Sequence, residues 1–294
     1  MSPGTRLGLG LLLPLLLGGC VSGMTREQPL PPSAQQTPAP VEQLMKRGHE
    51  ARDRGNSRGA ISAFLEVLKQ EPRHTEALLG VGDALLLEGK PGRAVPFYSQ
   101  VLEERPDHPA AAEGRGLCHI RLDQAEAARA DLQTAVKADP ARWRAWNGLG
   151  VLAAARGDYP DAIGYYNQAL RLLPDSPILL NNYGYAQIQR RNLPEAEQAL
   201  RRALAIAPGN TGLRNNLALA LAWQGRYQEA FNTISSALPK ATAYNNVGYV
   251  AMQRGELELA RDYFTEALKA SPTYHVQAAR NLERLERLQT HPGD

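Results

Sequence analysis

The chain has 294 residues, with 33 Lys and Arg against 30 Asp and Glu, a net charge of +3 and only two cysteines. That near balance, with no run of basic residues, excludes the electrostatic footprint of a nucleic-acid-binding domain. Two cysteines exclude a disulfide framework.

Residues 1–19 are expected to be a targeting segment. Arg6 supplies a positive start, and the apolar run Leu7 to Leu17 is too short to span a bilayer as a helix. The run ends in Leu17-Gly18-Gly19-Cys20, which resembles a bacterial lipobox. The resemblance implies that Cys20 is lipidated and becomes the mature N-terminus, anchoring the chain to a membrane. An ordinary signal peptide with a chance cysteine is the plainer alternative. Residue Val21 follows, where an aspartate would imply inner-membrane retention, so an outer-membrane anchor facing the periplasm is expected. Residues 20–40 hold Pro29, Pro31, Pro32, Pro38 and Pro40 among Ser, Gln and Thr, and form a tether reaching about 25 Å as a coil.

From Val41 a period of 34 residues takes over, with units starting at 41, 75, 109, 143, 177 and 211 and a seventh at 241. Position eight is small: Gly48, Gly82, Gly116, Gly150, Gly184, Ala218, Gly248. Position 20 is always alanine, from Ala60 to Ala260. Position 24 is large: Phe64, Tyr98, Leu132, Tyr166, Leu200, Ile234, Phe264. A proline closes each unit, ending with Pro239 and Pro272. Each unit reads as helix, turn, helix, with the small residues allowing close approach and the large one filling the gap between neighbours. This pattern resembles the tetratricopeptide repeat family over residues 41–274. It implies an all-α, right-handed solenoid of seven helix-turn-helix units.

The units differ. Arg47 and Arg115 stand at position seven, where others carry Val81, Leu149, Leu217 or Val247. Asp123 replaces the turn glycine of Gly55, Gly89, Gly157, Gly225 and Gly255. The first unit is expected to be a solvated cap and the third looser or bent. Residues 275–294 hold a capping helix and short tail, with Val276, Ala279, Leu282, Leu285 and Leu288 at helical spacing.

No catalytic or metal-binding constellation stands out: the six histidines are scattered and no phosphate-binding loop is present. The chain is therefore expected to be no enzyme, with no small-molecule substrate and no cofactor beyond lipid on Cys20. Cys118, beside Leu117 and Ile120, is expected to be a small buried residue.

Asparagine carries the functional signal. Asn147, Asn181, Asn215 and Asn245 share position five, and Asn182, Asn216 and Asn246 share position six. The family resemblance implies that these positions line a concave surface, where amides could pair with the backbone of an extended ligand. Contacts within the helices and loops are the alternative. Tyr185 and Tyr249 at position nine, with Trp223 and Met252 one turn further, are candidates for side-chain pockets in that groove or for packing between helices.

The final unit, Ala243-Tyr244-Asn245-Asn246-Val247-Gly248-Tyr249-Val250-Ala251-Met252 onward to Ala278-Ala279-Arg280-Asn281-Leu282, resembles the TadD-type lipoproteins of tight-adherence (Flp) pilus systems. That resemblance implies an assembly factor, or pilotin, for an outer-membrane secretin or another pilus component. A general periplasmic scaffold for cell-wall hydrolases or outer-membrane assembly, and a pilotin of a type IV pilus or type II secretion system, remain open.

Overall fold

The computed structural model describes residues 39–271, 273 and 275–290. The targeting segment, Cys20, the tether as far as residue 38, Pro272, Tyr274 and the Leu288 side chain lie outside the described residues. The fold is all-helical. The first helices of the units are α1 (Val41–Asp53), α3 (Thr75–Leu87), α5 (Pro109–Arg121), α7 (Trp143–Ala155), α9 (Pro177–Gln189), α11 (Thr211–Trp223) and α13 (Lys240–Gln253). The second helices are α2 (Ser57–Gln70), α4 (Pro91–Glu104), α6 (Ala125–Ala138), α8 (Tyr159–Leu172), α10 (Leu193–Ile206), α12 (Tyr227–Ser235) and α14 (Leu257–Lys269), and α15 (Val276–Thr290) follows. Every helix packs only on members of its own or an adjoining unit, so this is a tetratricopeptide solenoid.

Packing follows the small and large positions. Tyr98 is fully buried, its ring lying against both Gly82 of its own unit and Gly114 of the next. Leu132 lies likewise between Gly116 and Gly148. A Cβ at any of these glycines would collide with the ring or branched carbon. The large side chain is thus the wedge that locks one unit to the next, and burying each is worth about 1.5–3 kcal/mol.

The last residue of a unit caps the following helix. The Nδ1 atoms of His74 and His108 accept the backbone N–H of Ala77 (3.2 Å) and Ala111 (3.3 Å), and the Asn210 side chain accepts that of Leu213 (3.1 Å). The turn residue needs a left-handed backbone, which glycine supplies at five units. Asp123 (φ 58°) and Arg191 (φ 61°) adopt it without glycine.

The third unit is not loosened by Arg115, contrary to the sequence expectation. Its guanidinium forms a two-pronged pair with Asp131 of α6 (2.8 and 2.7 Å) and reaches Ser99 of α4 at 3.3 Å. A charge at position seven is accommodated because position 23 of the same unit supplies the counter-charge. In α15 the buried seam is Ala278, Ala279 and Leu285, whereas Val276 is 47% exposed and does not belong to it. Arg280, Glu283, Arg284 and Glu286 face solvent as expected.

Candidate functional site: an asparagine-lined row along the first helices

The paired asparagines meet between units. The amide of Asn182 donates to the side-chain carbonyl of Asn147 at 2.9 Å, Asn216 to Asn181 at 2.8 Å, and Asn246 to Asn215 at 3.3 Å. Asn281 of α15 continues the series onto Asn245 at 2.9 Å. In each case position six of one unit reaches back to position five of the unit before. The row starts where position six changes from Gly80, Gly114 and Gly148 to asparagine.

Each bond uses one proton of the donor and one lone pair of the acceptor. The position-five amides and the position-six carbonyls keep hydrogen-bonding capacity, and none is among the fully enclosed polar atoms that lack a partner. The bonds therefore hold the side chains in fixed orientations and leave alternating donors and acceptors accessible.

Tyr185 and Tyr249 are 40% and 41% exposed, and Ile178, two turns before Tyr185 on the same helix face, is 62% exposed. Tyr249, Asn246 and Asn215 line a cavity of 490 Å³ that also meets α15 through Gln277, Arg280 and Asn281. Its apolar part comes from Ala218, Leu219, Ala222 and Val250.

Two expected groove residues, Met252 and Trp223, are placed otherwise, and a third, Asn245, lines the cavity while nearly buried. Met252 is 4% exposed and belongs to the core cluster that also holds Val250 and Leu285. Asn245 is 6% exposed; it lines the cavity, but its carbonyl is committed to Asn281. Trp223 packs on the same core and carries the Arg191 guanidinium over its ring at 3.3 Å, a cation–π contact, so it opens no side-chain pocket. Asn147, Asn181, Asn182 and Tyr185 lie along the row but not in the cavity. Sequence reasoning missed Arg280 and Asn281; the signal was the N-cap histidine His275, which marks α15 as a further first helix.

Before the row, the first helices carry acids instead. Tyr98 donates its hydroxyl to Asp83 at 2.7 Å. Burial raises the Glu113 carboxyl above its usual range, although Arg142 lies 3.6 Å away. Cys118 is fully buried, and burial pushes its thiol up to about 12, so it is a packing residue.

A family model described as the cilia and flagella-associated protein 70 C-terminal domain matches residues 24–246, and a tetratricopeptide repeat model matches residues 241–274. Protein FlbA of Caulobacter vibrioides is 30% identical over 148 residues, covering 47% of this chain and 25% of FlbA. The chain spans a quarter or less of the length of the first curated relatives it matches. Among solved structures, a tetratricopeptide repeat protein from Parabacteroides merdae matches with a TM-score of 0.55 at 20% identity, over 83% of this chain and 98% of that one. YrrB, described as a tetratricopeptide protein with an unusual peptide-binding site, matches with a TM-score of 0.52 at 21% identity, over 63% and 97%. With well over half of its length inside the first model, the chain belongs to the family described as the cilia and flagella-associated protein 70 C-terminal domain, a family of tetratricopeptide repeats.

Proposed function

We propose that this protein is a lipid-anchored adaptor that holds an extended segment of a partner protein along its first helices. The observation that carries the reading is the row of oriented amides with accessible donors and acceptors, flanked by Ile178, Tyr185 and the cavity at Tyr249. Backbone recognition by side-chain amides suits a ligand that is extended and only partly specified in sequence. The peptide-binding site in the description of YrrB is in keeping with this use of the fold.

The partner in this reading is the secretin of a tight-adherence pilus, by the resemblance of the last unit to TadD-type lipoproteins. Lipid on Cys20 would carry the solenoid to the outer membrane on the periplasmic side, with the tether leaving it free to present the bound segment.

The test is a binding titration of soluble residues 21–294 against overlapping secretin peptides, with Tyr185→Ala and Tyr249→Ala as variants. Both side chains are exposed, so helical content should survive. Affinity should fall about tenfold, ~1.4 kcal/mol, for at least one of them. Binding unaffected by both changes would move the interface off the first helices. Gene deletion that leaves secretin multimers and piliation intact, with cell-wall enzymes copurifying instead, would replace the pilus role by the scaffold role.

A further inference from the structure

Helix α15 keeps the register of a first helix. His275 caps it through Nδ1 to the N–H of Ala278 at 3.1 Å, as His74 and His108 cap α3 and α5. Ala278 is fully buried, as are the third residues Ala77, Ala111 and Ala145 of α3, α5 and α7. Asn281, its sixth residue, makes the inter-unit bond that position six makes elsewhere. Its fifth residue is Arg280, where α7, α9 and α11 carry Asn147, Asn181 and Asn215. The last helix is thus an eighth first helix with one substitution on the asparagine row, and that substitution adds a charge.

Arg280 is exposed, lines the cavity and has no ion pair or hydrogen bond with any described residue. Arg284, one turn further along, is also exposed and unpaired among the described residues. Among the described residues, no acidic side chain lines the cavity. A guanidinium left without a counter-charge beside an apolar hollow favours a ligand that brings both a carboxylate and a hydrophobic group. Beyond Arg280, α15 is exposed at Glu283, Arg284 and Glu286, so none of these described residues walls off a bound chain there.

We propose that α15 selects the ligand: Arg280 pairs with the side-chain carboxylate of an Asp or Glu in the partner's extended segment, while a neighbouring aliphatic or aromatic side chain of that segment fills the 490 Å³ cavity. This rests on the groove reading above and adds the chemistry that the groove prefers. Because no described residue closes the row beyond Arg280, the carboxylate is assigned to an internal residue and not to a chain terminus.

The experiment selects random 12-residue peptides, displayed with both ends blocked, on the full chain in detergent. A second library carries free C-termini. Retained blocked peptides should share an acid next to a large apolar residue. They should bind Arg280→Gln at least tenfold more weakly, and Arg280→Glu should exchange the selected acid for Lys or Arg. Circular dichroism should show unchanged helix in both variants, since the side chain is exposed. Peptides without the acid, equal affinity for Arg280→Gln, or retention of free C-termini alone would overturn the assignment. If affinity is lost in Tyr185→Ala or Tyr249→Ala but kept in Arg280→Gln, the carboxylate assignment falls and the groove reading stands. If neither library yields a peptide, both fall.

Discussion

The side-chain amide of Asn216 donates to the side-chain carbonyl of Asn181, 35 residues earlier in the chain and 2.8 Å away. The asparagines of the row therefore join successive units. Asn216→Ala should cost about 0.5–1.5 kcal/mol, the usual net worth of one such bond. Urea unfolding of Asn216→Ala, Asn181→Ala and the double variant measures it. The double variant should cost less than the sum; strict additivity would mean that the bond contributes nothing.

Arg115 and Asp131 should behave as a pair. Asp131 is 8% exposed, so Arg115→Ala leaves a nearly buried carboxylate with only the His119 imidazole, 3.6 Å away, beside it. A loss of about 2–3 kcal/mol is expected, reduced from the fully buried case because Arg115 keeps partial solvent contact. Replacing both by leucine should recover most of it, since position seven is Val or Leu in four other units. A double variant as unstable as Arg115→Ala would refute the pairing argument.

Two helical glycines separate crowding from propensity. A Cβ on Gly150 would run into the Tyr166 ring, whereas one on Gly164 meets nothing within 4 Å. Gly150→Ala should lose about 1–3 kcal/mol through overpacking. Gly164→Ala, in the interior of α8, should gain about 0.5–1 kcal/mol. Thermal melts of the two variants should move in opposite directions, and a shared direction would count against the wedge role of Tyr166.

Stability should rise on mild acidification through Glu113. Burial raises its carboxyl above the ordinary value of 4.5. An acid that holds its proton more tightly when folded contributes stability fully below its unfolded pKa. That contribution disappears as pH rises through its folded pKa. Glu113→Gln should flatten the change in melting temperature between about pH 7 and pH 4.5. A slope identical to that of the parent protein would show that the carboxyl is not displaced.

The solenoid was legible because its packing rule is written at fixed intervals. A small residue at position eight, alanine at 20 and a bulky residue at 24 can satisfy one another in one arrangement only. Pairings between units were harder to read. Asn147 and Asn182 stand out by their repeat positions, but which amide reaches which carbonyl depends on the rotation from one unit to the next. Arg115 looked disruptive in isolation, although Asp131, the one acid at position 23 of any unit, was its visible complement. Met252 has the repeat spacing of a candidate groove residue, yet it lies in the core, which its position on one helix does not reveal.

Contacts between helices never reach past an adjoining unit. The cavity, its amides and Arg280 therefore depend on α11 to α15 alone. That terminal block is portable: fused to an unrelated array of the same repeat, it would bring its selectivity with it. Duplicating or deleting units nearer the N-terminus would change only the length of the solenoid that precedes this block. Length and the terminal cavity are thus separately adjustable in one chain, each free to drift without spoiling the other.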